Sequence, residues 1–196
     1  FLRIYNIVKF IFINDDNQKI ERFFNGDYDF YSGFRAQWGA ERFTAKEYGE
    51  IRRGLVLRKK IFNFQPNGVT GLAFNTSQWP FEDIRVRQAF SHIWDLDKLI
   101  DKLFFNEYLK TNSWFPWSKY EFPDNPIQDF NPDKAIKLLH EAGWVKALGE
   151  KWLSKDGKIF EFDMFMYSGW DRIHNYLVGN LKSIGIKLNL VVLQSP

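Results

Sequence analysis

The sequence predicts an α/β fold, and three observations predict it. Short β-branched and aromatic runs alternate along the chain with amphipathic stretches of helical period. Twice, at residues 7–31 and 160–192, the order strand, helix, strand can be read directly. Helix start and stop residues bracket the helical stretches: Asn or Asp ahead of them, Gly just beyond. A strand–helix–strand unit implies a parallel pair joined by a right-handed crossover, and some antiparallel pairing is expected beside it.

Residues 7–13 (Ile-Val-Lys-Phe-Ile-Phe-Ile) are short, β-branched and aromatic, which predicts a buried strand. Asn14, Asp15 and Asp16 offer N-cap oxygens to a helix through Ile20, Phe23 and Phe24, with Gly26 suited to its C′ position. Residues 27–31 then read as a returning strand. Residues 32–49 carry Trp38, Phe43 and Tyr48 at no clean period, residues 55–64 read as a strand, and Pro66-Asn67-Gly68 marks a turn. Residues 71–75 (Gly-Leu-Ala-Phe-Asn) read as a strand. Pro80 precedes a helix whose apolar positions are Val86, Ala89, Phe90 and Ile93, and Asp95 caps a second helix through Leu96, Leu99, Ile100 and Leu103.

From residue 108 to 129 the chain is polar and aromatic, with three prolines, and an irregular segment is expected. Asn131-Pro132 is an N-cap followed by proline at the first helical position, and Ala135, Leu138, Leu139 and Ala142 form the stripe of the helix it opens, which Gly143 ends. Residues 152–159 read as a hairpin turning at Asp156-Gly157. Phe160, Phe162, Met164 and Met166 alternate with more polar partners, as in a half-buried strand. A helix with Ile173, Leu177, Leu181 and Ile184 inward stops at Gly185, and Ile186, Leu188, Leu190 and Val192 make the last strand.

Composition narrows the function. The 196 residues are 45% hydrophobic and 26% charged, a globular balance. No run of about 18 apolar residues is present, so no membrane-spanning helix and no stable membrane insertion are expected. The formal net charge of +3 is too small for a dedicated nucleic-acid binder. Cysteine is absent, which excludes a zinc ribbon, a thiol enzyme and a disulfide scaffold together. The 21 Phe, 8 Tyr and 8 Trp exceed what a core of this size needs, so some are expected to line a binding surface. The chain lacks an initiator Met and a signal peptide and stops just after an apolar run, and the expectation is a piece cut from a longer chain.

Catalytic patterns are missing. Neither G-x-G-x-x-G nor a P-loop nor a G-x-S-x-G elbow occurs. His92, His140 and His174 have no ligand spacing and read as structural or solvated, so no metal and no cofactor are expected. Asp95 and Asp97 can be imagined as an acid/base pair, but their place before a helix favours capping. Arg52, Arg53, Arg58, Lys59 and Lys60 can attract phosphate, but a solvated strand face is the simpler reading. The chain is expected not to be an enzyme.

One constellation does carry information. Residues 72–76 (Leu-Ala-Phe-Asn-Thr), followed by residues 79–90 (Trp-Pro-Phe-Glu-Asp-Ile-Arg-Val-Arg-Gln-Ala-Phe), resemble the strand–turn–helix signature of the family 5 solute-binding proteins of ABC transporters, the peptide-binding group. That family writes an apolar strand ending in Phe-Asn-Thr, a Pro-Phe-x-Asp turn, and a helix opening Val/Ile-Arg-x-Arg-Gln-Ala. Asp95 sits where the family caps its next helix. Residues 131–135 (Asn-Pro-Asp-Lys-Ala), through Leu138 and Leu139 to Glu141-Ala142-Gly143, match a further family helix, and Ile184-Gly185-Ile186 match a strand entry. Upstream, residues 24–29 (Phe-Asn-Gly-Asp-Tyr-Asp) resemble the step x-x-Gly-x-x-Asp. Residues 103–108 and 111–115 look most like the subgroup importing microcin C and oligopeptides, although the usual glycine near Asn106 is absent. The motif also has roles independent of any name. Pro80 fixes φ, Asp83 caps free helix N–H groups, and Arg85 and Arg87 leave the first turn on opposite sides, one of them to hold a carboxylate.

The resemblance implies a periplasmic binding protein-like fold (type II, peptide-binding cluster): two α/β lobes with solute enclosed between them. On that model residues 1–68 belong to the first lobe and 69–196 to an incomplete second, with the crossing near residues 67–71. It implies a periplasmic receptor that binds a peptide or peptide-like ligand and delivers it to the permease subunits of an ABC importer. The alternative is a ligand-sensing domain of a transcriptional regulator, and nickel, haem or sugar cargo is compatible with the same architecture. The matching ligand-contact positions are Gly33, Phe34, Gly71, Ala73 and Asn75. Strand-end position adds Ser168 and Trp170, and loop aromatics add Trp38 and Trp114. The family's acidic anchor for a peptide amino group is expected beyond Pro196.

Overall fold

The computed structural model describes residues 7–32, 36–44, 46–60, 69–126, 128–167 and 171–193. The chain divides into two units, Phe1–Asn63 and Phe64–Pro196.

In the first unit, the Asp15 carboxylate accepts the Gln18 N–H at 2.8 Å and starts helix α1 (Asp16–Phe24). Asn25 closes the helix and Gly26 follows at φ 84°, a left-handed conformation that glycine adopts without a Cβ penalty. A π-helical turn (Trp38–Arg42) and a single helical turn α2 (Gly49–Arg52) complete the regular structure of its described residues. Their packing is aromatic: Phe24 stacks on Tyr48 at 3.7 Å and contacts Phe43 at 5.8 Å, above the fully buried Ile20.

The strands expected at residues 7–13 and 27–31 do not form, nor does a strand over residues 55–60; residues 61–68, with the expected turn, lie outside the described residues. Phe12 is 92% exposed, against the burial its composition suggests. Strand propensity measures fit to a pleated, half-buried surface, and the first unit contains no partner strand among the described residues to supply one. The first strand–helix–strand reading is therefore corrected to a helix with irregular flanks.

The second unit carries the α/β architecture. Three helices open it: α3 (Ile84–Ile93), α4 (Leu96–Phe104) and α5 (Pro132–Glu141). Asp83, Asp95 and Asn131 are their N-caps, accepting the N–H of Arg85, Lys98 and Lys134 at 2.9, 3.0 and 3.0 Å. A hairpin of β1 (Ser154–Lys155) and β2 (Lys158–Ile159) turns through Asp156 and Gly157 at φ 51° and 75°, the conformation in which Asp-Gly is favoured. Then β3 (Glu161–Tyr167), α6 (Asp171–Ser183) and β4 (Lys187–Leu193) form a parallel strand–helix–strand unit, with Glu161 opposite Lys187 and Tyr167 opposite Leu193.

α3 packs on α5, α6 on β4 and α4 on α6. The core between them holds Phe90, Leu139, Trp144, Phe160, Leu181 and Ile186, each essentially excluded from solvent. Residues 108–129 are irregular wherever described, as expected, and their end is fastened through buried His92. Its Nδ1 lies 3.0 Å from the Asp129 carbonyl and 2.9 Å from the Asp129 carboxylate, while Asn131 N–H donates to the His92 carbonyl at 2.9 Å. His92 is thus a structural histidine.

Candidate functional site

The segment leading into α3 is built around one anchor. Phe74 is half-buried against Phe81 and Phe90, at 4.7 and 5.1 Å between ring centres, while Gly71, Leu72, Ala73 and Asn75 are exposed. It is not a strand, which corrects the expectation for residues 71–75: the only described ladders are β1 with β2 and β3 with β4, so these backbone groups have no described strand to pair with. The Asn75 side chain accepts the Ser77 N–H at 3.1 Å, opening a turn that reaches the buried Pro80.

Asp83 and the two arginines then fix the helix entry. Arg85 grips the Asp83 carboxylate through Nε at 3.0 Å and Nη2 at 2.6 Å, and Nη1 donates to the Glu141 carbonyl at the end of α5. Arg87 donates instead to the carbonyls of Phe81 and Glu82, at 2.6 and 3.0 Å. The signature Arg-x-Arg is therefore structural: one arginine holds the Asp83 carboxylate and ties α3 to α5 through the Glu141 carbonyl, and the other clamps the preceding turn.

The Arg85 guanidinium, by its hydrogen bonds, holds the Asp83 carboxyl below the usual carboxylate range. A depressed folded-state value gives stability that is complete above the unfolded value of about 3.9 and disappears as pH falls through the folded one. The stability gap between the native chain and Asp83→Asn is therefore expected to be widest near neutrality and to close under acid. Urea midpoints of both at pH 6 and pH 3 (about two units and one unit either side of the unfolded value) check it, and a gap independent of pH contradicts it.

Of the residues expected to contact ligand, the structure brings Gly71, Ala73 and Asn75 together on one exposed segment. Trp114 stands on the irregular segment of the same unit and is 80% exposed. Trp38 opens the π-helical turn of the other unit, half-buried, with the Arg42 guanidinium 5.6 Å above its ring. Gly33, Phe34, Ser168 and Trp170 lie outside the described residues.

Two features were missed from sequence. A groove of about 440 Å³ between α4 and α6 is lined by Lys98, Leu99, Lys102, Leu103, Arg172 and Tyr176. The i,i+4 spacing of its lysines and leucines on α4 was legible, but the pairing with α6 was not. The second is the outer face of the β3–β4 pair, where Phe165 and Tyr167 are exposed although both belong to a strand. Among the described residues no group of three His, Cys, Asp or Glu side chains is placed to hold a metal ion, and no helix is long and apolar enough to cross a membrane.

A family model described as bacterial extracellular solute-binding proteins, family 5 Middle, matches residues 5–196. The chain belongs to that family. Family 5 proteins are solute-binding receptors rather than enzymes and act outside the cytoplasm, and the fold agrees with theirs. The structure of the oligopeptide-binding protein AppA from Bacillus subtilis in complex with a nonapeptide superposes with a TM-score of 0.64 at 23% identity, covering 92% of this chain and 34% of that one. NikZ from Campylobacter jejuni in complex with Ni(L-His) gives 0.54 at 26% identity, over 62% of this chain and 25% of the other. An uncharacterized protein of Sinorhizobium fredii, y4wM, is 26% identical over 93% of this chain and 33% of its own length. The chain thus spans about a third of the length of this and another curated relative it matches.

Family membership also gives meaning to the end of α4. Where the family's usual glycine is missing, Phe105 and Asn106 both adopt left-handed backbone, at φ 52° and 57°. Both residues carry a Cβ and pay a steric penalty for that conformation.

Proposed function

We propose that this chain is part of an extracytoplasmic receptor of an ABC importer, which encloses an oligopeptide-like ligand between two lobes and passes it to a membrane permease. Residues 1–68 are read as part of the first lobe and 69–196 as part of the second. The family match along nearly the whole chain carries the reading. The oligopeptide cargo is supported by a relative 28% identical over 63% of this chain, the oligopeptide-binding protein AppA of Bacillus subtilis. The exposed segment at residues 71–75 supports it too, because backbone groups of unpaired chain are available to a peptide.

On this reading Gly33, Phe34, Gly71, Ala73, Asn75, Ser168 and Trp170 border the ligand, with Trp38 and Trp114 as aromatic contacts. Gly71 and Ala73 act through backbone, having no polar side chain. Closure follows the usual rule for a hinged receptor: cargo shifts the open–closed balance only by its extra contacts in the closed form.

Mass spectrometry of material co-purified with the full-length protein tests the proposal. Short peptides are the expected result. Nickel or haem in their place reassigns the cargo within the family, as the Ni(L-His) complex of NikZ illustrates, and an oligosaccharide alone refutes the peptide assignment.

A further inference from the structure

Beyond the receptor reading, and independently of its cargo, we propose that His92 is a positioning residue. By holding Asp129 it sets where the irregular segment 108–129 sits on the helical layer, and the segment follows it as one body.

The segment is held at its ends. None of its described residues is buried, and none belongs to the core of the second unit. Near its start, Tyr108 rests on Phe104 of α4 with ring centres 4.4 Å apart, and Lys110 Nζ lies 3.0 Å from Asp97 Oδ2. At its finish, Asp129 presents two oxygens to His92 in the last turn of α3: Nδ1 is 3.0 Å from the carbonyl and 2.9 Å from the carboxylate. Asn131 donates its N–H to the His92 carbonyl at 2.9 Å and caps α5 through the Lys134 N–H at 3.0 Å. One residue of α3 therefore fixes both the arrival of the segment and the entry to α5.

Between its ends the segment is closed on itself. Asn112 Nδ2 donates to the carbonyls of Asn125 and Pro126 at 3.0 and 3.4 Å, which joins the arm carrying Trp114 to the arm that finishes at Asp129. Within the loop so formed, the Trp117 N–H donates to the Glu121 carboxylate at 2.6 Å and the Ser118 hydroxyl to the Phe115 carbonyl at 2.9 Å. A loop with joined ends and its own hydrogen bonds moves as a unit when an anchor gives way.

The two ends are held unequally. At the start, the Asp97 side chain is 75% exposed, and an ion pair in water contributes little. At the finish, His92 is only 7% exposed. A carbonyl oxygen only accepts, so Nδ1 carries the proton that it shares with the two Asp129 oxygens. Removal of that N–H leaves a part-buried acceptor unsatisfied, which costs more than the bond itself contributes. What position 92 must supply, besides bulk, is one N–H at the place of Nδ1.

Limited chymotrypsin digestion of the full-length protein, with cut sites located by mass spectrometry, tests this. The segment offers exposed Trp114, Phe115, Trp117, Tyr120 and Phe122, whereas Phe90 and Phe160 are buried and report global unfolding. His92→Leu keeps the bulk and loses the N–H. Cleavage within the segment is then expected to accelerate at least about tenfold, with no cuts at Phe90 or Phe160. His92→Asn, whose Nδ2 replaces Nδ1, is expected to return the rate to within about threefold of native. Unchanged cleavage in His92→Leu overturns the inference, and is the result if parts of the receptor beyond this chain hold the segment. Failure of asparagine to rescue, or new cuts at Phe90 and Phe160 beside those in the segment, makes His92 a packing residue and overturns it too. So does an effect of Lys110→Met as large as that of His92→Leu. None of these outcomes bears on the receptor reading, which is decided by the co-purified ligand.

Discussion

Phe160→Ala is expected to lower the unfolding free energy by about 3–5 kcal/mol. Phe160 is wholly excluded from solvent and is the ring on which the helical and sheet layers of the second unit meet. Its centroid lies 4.3 Å from Trp144 and 6.2 Å from both Phe90 and Phe162. Its backbone is held on both sides as well, the N–H donating to the Leu153 carbonyl at 2.7 Å and the carbonyl accepting from Lys187 at 2.9 Å. Those bonds keep the backbone in place when the ring is removed, so the cavity cannot close by a shift of the chain, and the penalty falls in the upper range for a large-to-small change. Phe165→Ala, five residues along the same strand and mostly exposed, is expected to change stability by no more than about 0.5 kcal/mol. Urea unfolding of both variants followed by circular dichroism compares them, and similar losses at the two positions would contradict the packing described.

Gly185→Ala is expected to cost about 2–4 kcal/mol, from two causes acting together. Gly185 ends α6 at φ 90°, where a residue with a Cβ is strained. That Cβ would also lie 3.2 Å from the Leu153 nitrogen and 3.3 Å from the Lys151 carbonyl. Both neighbours are backbone, and Leu153 N–H donates to the Gly185 carbonyl at 2.7 Å, so relief of the contact breaks the junction between the hairpin and β4. Gly157 is the control. It has φ 75° but nothing within 4 Å of its would-be Cβ, and Gly157→Ala, which meets the left-handed strain without the crowding, is expected to cost only about 1–2 kcal/mol. Thermal and urea unfolding of the pair separate conformational strain from crowding; equal costs would show that crowding at Gly185 contributes nothing.

What could be read from the residues themselves divides along a physical line. The caps Asp15, Asp83, Asp95 and Asn131 are local, since each side-chain oxygen reaches an N–H two or three residues ahead, and all four are found as expected. The Asp156-Gly157 turn and the glycine stop at residue 185 are local for the same reason. Residues 7–13, 27–31, 55–60 and 71–75 were misread because a strand is made by its neighbour. β3 (Glu161–Tyr167) has the same kind of composition as residues 7–13, but β4 pairs with it and no described strand pairs with the other. The candidate site follows that division. The signature from Phe74 to Phe90 was visible as a pattern, whereas the groove between α4 and α6 and the outer face of β3 and β4 depend on which elements meet.

The sequence by itself determined where α1, α3, α4, α5 and α6 start and stop, the hairpin, one parallel strand–helix–strand unit and the resemblance to a solute-binding family, because capping, turn chemistry and side-chain period act within a few residues. Tertiary structure alone decided which apolar runs became strands, that Arg85 also reaches the Glu141 carbonyl on α5, and that α4 meets α6. Those outcomes depend on contacts between residues far apart in the chain, such as Arg85 with Glu141 and Glu161 with Lys187, and no local spacing encodes them.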